Sequence, residues 1–355
     1  MKLRNILWLG LLLGFASSVA MAQTIDSIMD LNQRTRQRLV EADSLAAIGD
    51  DEQILIIIPT WLEQDDHVPE VTWPLLQRLG LAEYRLGHLE QAVESLERTA
   101  LWAPLEPDNH RNLALALMAS GHRGRAFAEY REALELAPAD WRLQVEFAHV
   151  LLDYRQNAQA REVVASAQNT CPLCPDVDRV VARYHLAVDQ PDGALAPLER
   201  LIVSHPDDDH LRDQLALVLL RTGYPDRARL LLLPDWPQGL SGQGRRIVLE
   251  ADRALGSPER ALELVIQGLD SPDLEPDADF WALAAMICHD AEEDESGLML
   301  MDRAILLRPD DAAYRNNRVA FLFRLGRISE AEAEWSVVLQ LDPTLSRNRT
   351  DTPGN

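Results

Sequence analysis

Three ladders of small and turn-forming residues run along this chain with a period of 34 residues. Ala92, Ala126, Ala160, Ala194 and Ala228 make the first, Pro104, Pro138, Pro172 and Pro206 the second, and Gly80, Ala114, Ala148, Ala182 and Ala216 the third. The phase loosens and then returns at Gly326, Ala331 and Pro343, with Pro309 lying 34 residues before Pro343. A period of this size means that each unit is one supersecondary element, which buries its apolar face only by stacking on its neighbours. The 355 residues suffice for about two ordinary domains or one long array, and the ladders select the array.

Inside a unit the pattern reads as two helices. Asn109 to Ser120 has a broad apolar face and no internal Gly or Pro, and Gly121 follows, where a left-handed residue ends a helix without a Cβ clash. Arg125 to Leu136 is the second helix, with Ala126, Tyr130 and Ala133 on one face at i, i+4 and i+7. Ala137-Pro138 closes the unit, since Pro cannot continue the helix and pushes its predecessor out of the helical region. The small residue eight places into each unit lets neighbouring helices approach closely.

On these residues the unit resembles a tetratricopeptide repeat, which has a small residue at position 8, Gly at 15, Ala at 20, a bulky residue at 24, Ala at 27 and Pro at 32. The second unit matches all six with Ala114, Gly121, Ala126, Tyr130, Ala133 and Pro138. The first unit begins at about Trp73 and carries Gly80, Gly87, Ala92, Leu96, Thr99 and Pro104. Later units depart locally: Arg155 replaces the turn Gly in the third, Val188-Asp189 stands near the turn of the fourth, and the fifth breaks at Pro234. The sixth is degenerate, on Gly256, Ala261 and Val265. The seventh, Ala278 to about Asp311, has Gly297 where Ala is usual, and the eighth has Gly326, Ala331, Trp335 and Pro343. A weaker unit with Gly49, Ile54 and Ile58 precedes them all. The resemblance implies an all-α fold, a right-handed superhelical solenoid of antiparallel helix pairs.

The expected organisation is N-terminal helices with a degenerate repeat over 23–72, an array over 73–232, an interruption at 233–244, a second array over 245–343 and a polar tail over 344–355. The interruption holds two Pro and three Gly, which cannot continue a helix. It reads equally as a joint between two arrays or as a loop decorating one. In the family most arrays end in a solvating helix, and none is visible here. The last helix is therefore a candidate surface for self-association.

Residues 1–22 read as a secretory signal peptide. Lys2 and Arg4 supply the positive start, Ile6 to Phe15 the apolar run, and Ala20-Met21-Ala22 the cleavage site before Gln23. Ten apolar residues fall short of the roughly 20 needed to span a bilayer. The expectation is an exported, periplasmic chain, cut after Ala22 and soluble, with no membrane span. Acidic residues number 57 against 34 basic, a net charge of −23. With no basic stripe against that background, nucleic acid is not an expected partner.

Candidate chemistry is sparse. Cys171-Pro-Leu-Cys174 lies where the second helix of the third unit ends, a place where the helix dipole disfavours a thiolate. A structural disulfide pinning the inter-unit turn is favoured there over a redox or metal role. Pro175 stands where haem attachment would need His, and no second ligand pair for zinc is evident. Cys288, between Ala284, Ala285, Met286 and His289, reads as a buried apolar residue. The Asp207-Asp208-Asp209-His210 and Ala291 to Ser296 runs read as solvated turn and cap regions. No phosphate loop, nucleophile elbow or His-Glu-x-x-His motif occurs. The expectation is therefore no enzyme, no cofactor and no metal.

The resemblance implies binding instead. In that family the first helix of each repeat lines a concave groove, facing it with positions 5, 9 and 12. Here these positions supply Tyr84, Arg111, His149, Arg179 and Arg183 among leucines. Such a cluster on an acidic chain suits a carboxylate or acidic segment. The alternative is that the arginines merely pair with neighbouring Asp and Glu. The family's clamp for chaperone C-termini is not reproduced, because Gln77 and Leu81 stand where it needs Lys and Asn. The expected function is a scaffold of the cell envelope that grips a protein or peptide partner in an assembly or export complex. Its rivals are a thiol-disulfide redox chaperone using Cys171 and Cys174, and a self-assembling array.

Overall fold

The structure, a computed structural model, describes residues 18–64, 69–269 and 276–345. The positive start and apolar run of the leader, and the tail beyond 345, lie outside the described residues. Among the described residues there are eighteen α-helices and no strand. Two helices precede the first regular unit, α1 (Ser18–Ile48), which runs through the expected cleavage site, and α2 (Asp51–Gln64).

Helix pairs follow in chain order. They are α3 (Pro69–Arg85) with α4 (Leu89–Trp102), α5 (Pro107–Ala119) with α6 (Arg123–Leu136), and α7 (Trp141–Asp153) with α8 (Asn157–Thr170). Next come α9 (Pro175–Ala187) with α10 (Asp192–Ser204), α11 (Asp209–Arg221) with the short α12 (Pro225–Leu232), and α13 (Gly242–Ala254) with α14 (Pro258–Leu269). The last are α15 (Ala278–Asp290) with α16 (Asp294–Leu307) and α17 (Ala312–Arg324) with α18 (Ile328–Leu341). The first unit opens at Pro69, four residues before the Trp73 suggested by the ladder phase, because Pro is tolerated in a helix's first turn. Asp294, Glu295 and Ser296 start α16 rather than lying in the turn before it.

Each of the eight pairs, and the junction of α1 with α2, is folded back by one residue in the left-handed region. Gly49, Gly87, Gly121, Arg155, Asp189, Gly223, Gly256, Glu292 and Gly326 all have positive φ, between 55° and 84°. Around Gly121 the chain closes with Gly121 N–H on Met118 O at 3.1 Å and His122 N–H on Leu117 O at 2.8 Å, the paired bonds that satisfy a helix's last carbonyls. Gln156 on Leu151 and Glu293 on Cys288 repeat the longer bond at non-glycine turns, both at 2.8 Å. The turn is therefore imposed by the packed pair even where a Cβ is strained.

What the pair demands is close approach. Ala114, Ala126, Ala148, Ala160, Ala194, Ala216, Ala228, Ala285 and Ala331 are fully buried. Gly297, which replaces the usual Ala in α16, is compensated: a Cβ there would lie 2.4 Å from Cε1 of the buried Phe321, so the phenyl ring fills the missing volume.

The chain divides into two packed units, Met1–Phe147 and Ala148–Asn355, the division falling within α7. In the first, Ile54, Ile58, Leu75, Leu76 and Ala82 join α2 to α3, while Leu96, Leu113, Leu117 and Ala126 join α4, α5 and α6. Tyr130 stacks on Phe147 with ring centroids 4.9 Å apart. In the second, one buried cluster runs from Ala182 through Leu219, Leu240 and Val248 to Ile287. Helices on both sides of the 233–244 interruption share that cluster, and Leu240 within the interruption belongs to it. A second cluster, with Met301, Phe321 and Val338, joins α15 to α18.

Two predictions come from this packing. Arg155→Gly and Glu292→Gly relieve left-handed strain and should each stabilise by about 1 kcal/mol in chemical denaturation; unchanged midpoints would contradict the turn assignment. Glu83 of α3 is buried, its Oε2 has no hydrogen-bond partner among the described residues, and burial raises its carboxyl above the ordinary range. A raised carboxyl favours the fold only while protonated, and that contribution is lost as pH rises through the folded value. Glu83→Gln should therefore raise the melting temperature at pH 7 and leave it nearly unchanged at pH 4.

Candidate functional site

The residues expected to line a groove fall into two groups, one in each packed unit. In the first unit Arg111 of α5 is committed to a neighbouring helix. Its Nε and Nη2 donate to Oε2 of Glu146 on α7 at 2.8 and 2.6 Å, and this hydrogen bond raises the guanidinium further. Oε1 of Glu146 accepts from the Tyr130 hydroxyl at 2.9 Å, and burial pushes that phenol up. Tyr84 of α3 is half-buried and packs with Val93 and Met118 against the cluster of α4 to α6. Gln77, the position-5 residue of the first repeat, is buried and donates to Asn109 Oδ1 at 2.8 Å. Here the groove positions serve repeat-to-repeat contacts.

In the second unit His149 of α7 and Arg183 of α9 meet. Arg183 Nη1 donates to His149 Nδ1 at 2.9 Å, and its Nη2 pairs with Asp153. Burial, then the neighbouring guanidinium, holds the imidazole below its usual range, so His149 is neutral at pH 7 and accepts this bond. Asp213, at position 5 of the fifth repeat, is buried and accepts from Ser241 Oγ. Leu186, Leu217 and Leu220 lie half-buried against the large cluster.

Arg179 is the exception. It sits one turn before Arg183 on the same face of α9, at i and i+4, is exposed, and has no hydrogen bond or ion pair among the described residues. Val145 is buried. Of the position-5 residues from the first to the fifth repeat, Arg179 alone is thus neither buried nor paired. The structure joins His149 with Arg183, leaves Arg179 open beside them, and places Arg111 and Tyr84 in separate packing.

The alternative that arginines pair with neighbouring Asp and Glu holds for Arg111, and it recurs with a regularity that sequence reasoning missed. Arg85 binds Asp51 through two parallel bonds of 2.8 and 2.5 Å, and Arg200 binds the buried carboxylate of Asp178 the same way at 3.0 and 2.5 Å. Arg227 reaches Glu199 at 2.6 Å, Arg221 reaches Asp189 at 2.5 Å, and Arg253 pairs with Asp290. Many of these partners lie about one repeat apart, 34 residues for Arg85 and 35 for Arg111. Opposite charges recurring at the repeat spacing were the available signal. Two-point contacts also fit a chain whose only lysine is Lys2, since an ammonium cannot make them.

Cys171 and Cys174 form a disulfide with Cα atoms 5.5 Å apart. Cys171 caps the end of α8, donating its N–H to Ala167 O at 2.8 Å, while Cys174 is the N-cap of α9. The carboxyl-end dipole considered from sequence thus acts on Cys171 alone. Cys288 is buried in α15, and burial pushes its thiol up to about 11. Asp208 accepts from Leu211 N–H at 3.1 Å, an ordinary helix cap.

Comparison with known proteins agrees with this architecture. Residues 76–237 match the tetratricopeptide repeat family model. An inactive TPR repeat-containing thioredoxin of Arabidopsis thaliana is 50% identical over 50 residues, which is 14% of this chain and 7% of the relative, so the chain spans less than a tenth of that protein. The C-terminal part of a TPR repeat-containing protein from Cytophaga hutchinsonii superposes with a TM-score of 0.50 at 12% identity, covering 78% of this chain and 97% of the other. A tetratricopeptide repeat protein from Parabacteroides merdae gives 0.47 at 16% identity, covering 77% and 93%. With a left-handed turn inside each of the eight helix pairs, buried alanines on the 34-residue ladders and a match to the family model over 76–237, that stretch is a tetratricopeptide-repeat array.

Proposed function

We propose that the chain is a non-enzymatic scaffold of the cell envelope that binds a protein partner through an acidic segment held at Arg179 and Arg183 of α9. The repeats supply a rigid surface rather than a reactive centre, as is general for the family. The observation that carries the reading is Arg179. Among the described residues Arg36, Arg155, Arg161 and Arg303 are likewise exposed with no partner, but Arg179 alone of these stands at a groove position, one turn from Arg183. On a chain of net charge −23 it is a place for a carboxylate from outside. Arg183 beside it has one face on neutral His149 and the other on Asp153, so it can share an incoming carboxylate. Half-buried Leu186, Leu217 and Leu220 offer apolar contact. Arg111 is left out, because Glu146 already satisfies it.

Export rests on the leader-like composition of residues 1–22. Among the described residues no helix is long and apolar enough to cross a membrane.

A fluorescent glutamate-rich peptide titrated onto the chain tests the site. Arg179→Ala should weaken binding about tenfold, the loss of a charge-assisted contact, and Arg111→Ala should leave it within twofold; equal losses would remove the assignment. Expression in a bacterium with a periplasm should yield a chain starting at Gln23 in the periplasmic fraction, whereas an intact Met1 terminus in the cytoplasm would contradict export.

A further inference from the structure

The turn between α8 and α9 lacks both ties that fasten other turns of this kind. Each of those junctions has at least one of the two, and into α7, α11, α15 and α17 an aspartate caps the incoming helix, though Glu106 before α5 does not. Asp140 accepts from Arg142 and Leu143 N–H at 2.9 and 3.2 Å, Asp277 from Phe280 N–H at 2.8 Å, and Asp311 from Ala313 and Tyr314 N–H at 2.9 and 3.2 Å. Into α5, α7 and α17 the fourth residue of the incoming helix reaches back to the repeat's proline. Gln144 Nε2 donates to Pro138 O at 2.7 Å, Arg315 Nε to Pro309 O at 2.7 Å, and His110 Nε2 lies 3.0 Å from Pro104 O.

At α9 the cap position is Cys174, whose side chain makes no capping bond. The fourth residue is Asp178, which has no proton to give Pro172 O and is engaged by Arg200 of α10. The Cys171–Cys174 disulfide spans this same turn. Both cysteines are half-buried, and Leu173 between them is 77% exposed, so the bond stands where a reagent can reach it.

We propose that the Cys171–Cys174 disulfide is a thiol–disulfide exchange site that latches the first turns of α9. A thiolate of a dithiol reductant attacks Cys171 Sγ, the S–S bond breaks, and Cys174 leaves as thiolate. Cys174 is the N-cap of α9, and the positive end of a helix dipole favours a thiolate there. The reductant's second thiol then displaces Cys171 from the mixed disulfide. The protein gains two electrons and two protons, and the reductant becomes a disulfide. Reduction leaves α9 with neither cap, back-bond nor covalent tie at its start, so the turns carrying Arg179 and leading to Arg183 loosen. The effect on ligand capture rests on the binding reading above; the exchange and the loosening do not.

Hydrogen–deuterium exchange of the full chain, with and without dithiothreitol and with iodoacetamide to record thiols, tests this. Reduction should label Cys171 and Cys174 but not buried Cys288 in the native chain, and should speed exchange in the first half of α9 roughly fivefold or more, as loss of a cap does. The double variant Cys171→Ala with Cys174→Ala, which supplies neither bond nor cap, should exchange fast in either condition. Cys171→Ser with Cys174→Asp, which restores the cap of the other junctions, should exchange slowly in both. Resistance of the native disulfide to dithiothreitol, or labelling without faster exchange in α9, would overturn the proposal. Loosening of α9 with no change in binding of the glutamate-rich peptide would count against the binding site and leave the latch standing.

Discussion

Everything in this molecule depends on how closely the two helices of a pair approach. Buried alanines such as Ala114 and Ala126 permit that approach, and a larger side chain would force the helices apart. The pair then dictates its own turn. Because both helices are fixed by packing, the connecting residue must be left-handed whether or not it is glycine, and Arg155, Asp189 and Glu292 accept the strain. Identical pairs stacked at a fixed spacing also bring the same positions of successive repeats into contact, so opposite charges about one repeat apart become partners.

That last consequence decides what is left for function. Ion pairs between exposed side chains stabilise little individually, but one that takes two donors of a guanidinium, as Glu146 does with Arg111, leaves it less to offer a partner. A buried pair such as Arg229 with Asp252, where Nε lies 2.8 Å from both carboxylate oxygens, is of a different kind, because losing one partner leaves an uncompensated buried charge. Against this background an unpaired arginine is informative. Arg179 stands out among the position-5 residues of the first five repeats, because Gln77, Val145 and Asp213 are buried and Arg111 is bonded.

The fold was legible in the sequence because its cause is local and periodic. Ala92 to Ala228 and Pro104 to Pro206 recur at the repeat length, and α5, α7, α9 and α11 begin 34 residues apart in that phase, while α3 opens earlier, at Pro69. Even the substituted turn at Arg155 was visible as a departure from glycine. The site was less legible. Spacing placed Arg111, Arg179 and Arg183 in one class, but whether a guanidinium is free depends on what the next repeat offers, and Glu146 takes Arg111 while nothing takes Arg179. The disulfide was read from Cys171-Pro-Leu-Cys174, yet its relation to α9 needed Asp178, whose acidic side chain cannot make the back-bond that Gln144 and Arg315 make.

The central claim is that α9 offers a positive site to an acidic partner segment. A charge-swap cycle by titration calorimetry tests it most directly, pairing the native chain and Arg179→Glu with a glutamate-rich peptide and its lysine counterpart. The account predicts that reversing the charge at Arg179 weakens the acidic peptide and strengthens the basic one, with a coupling that fades as salt is raised. Affinities that shift equally for both peptides would contradict it.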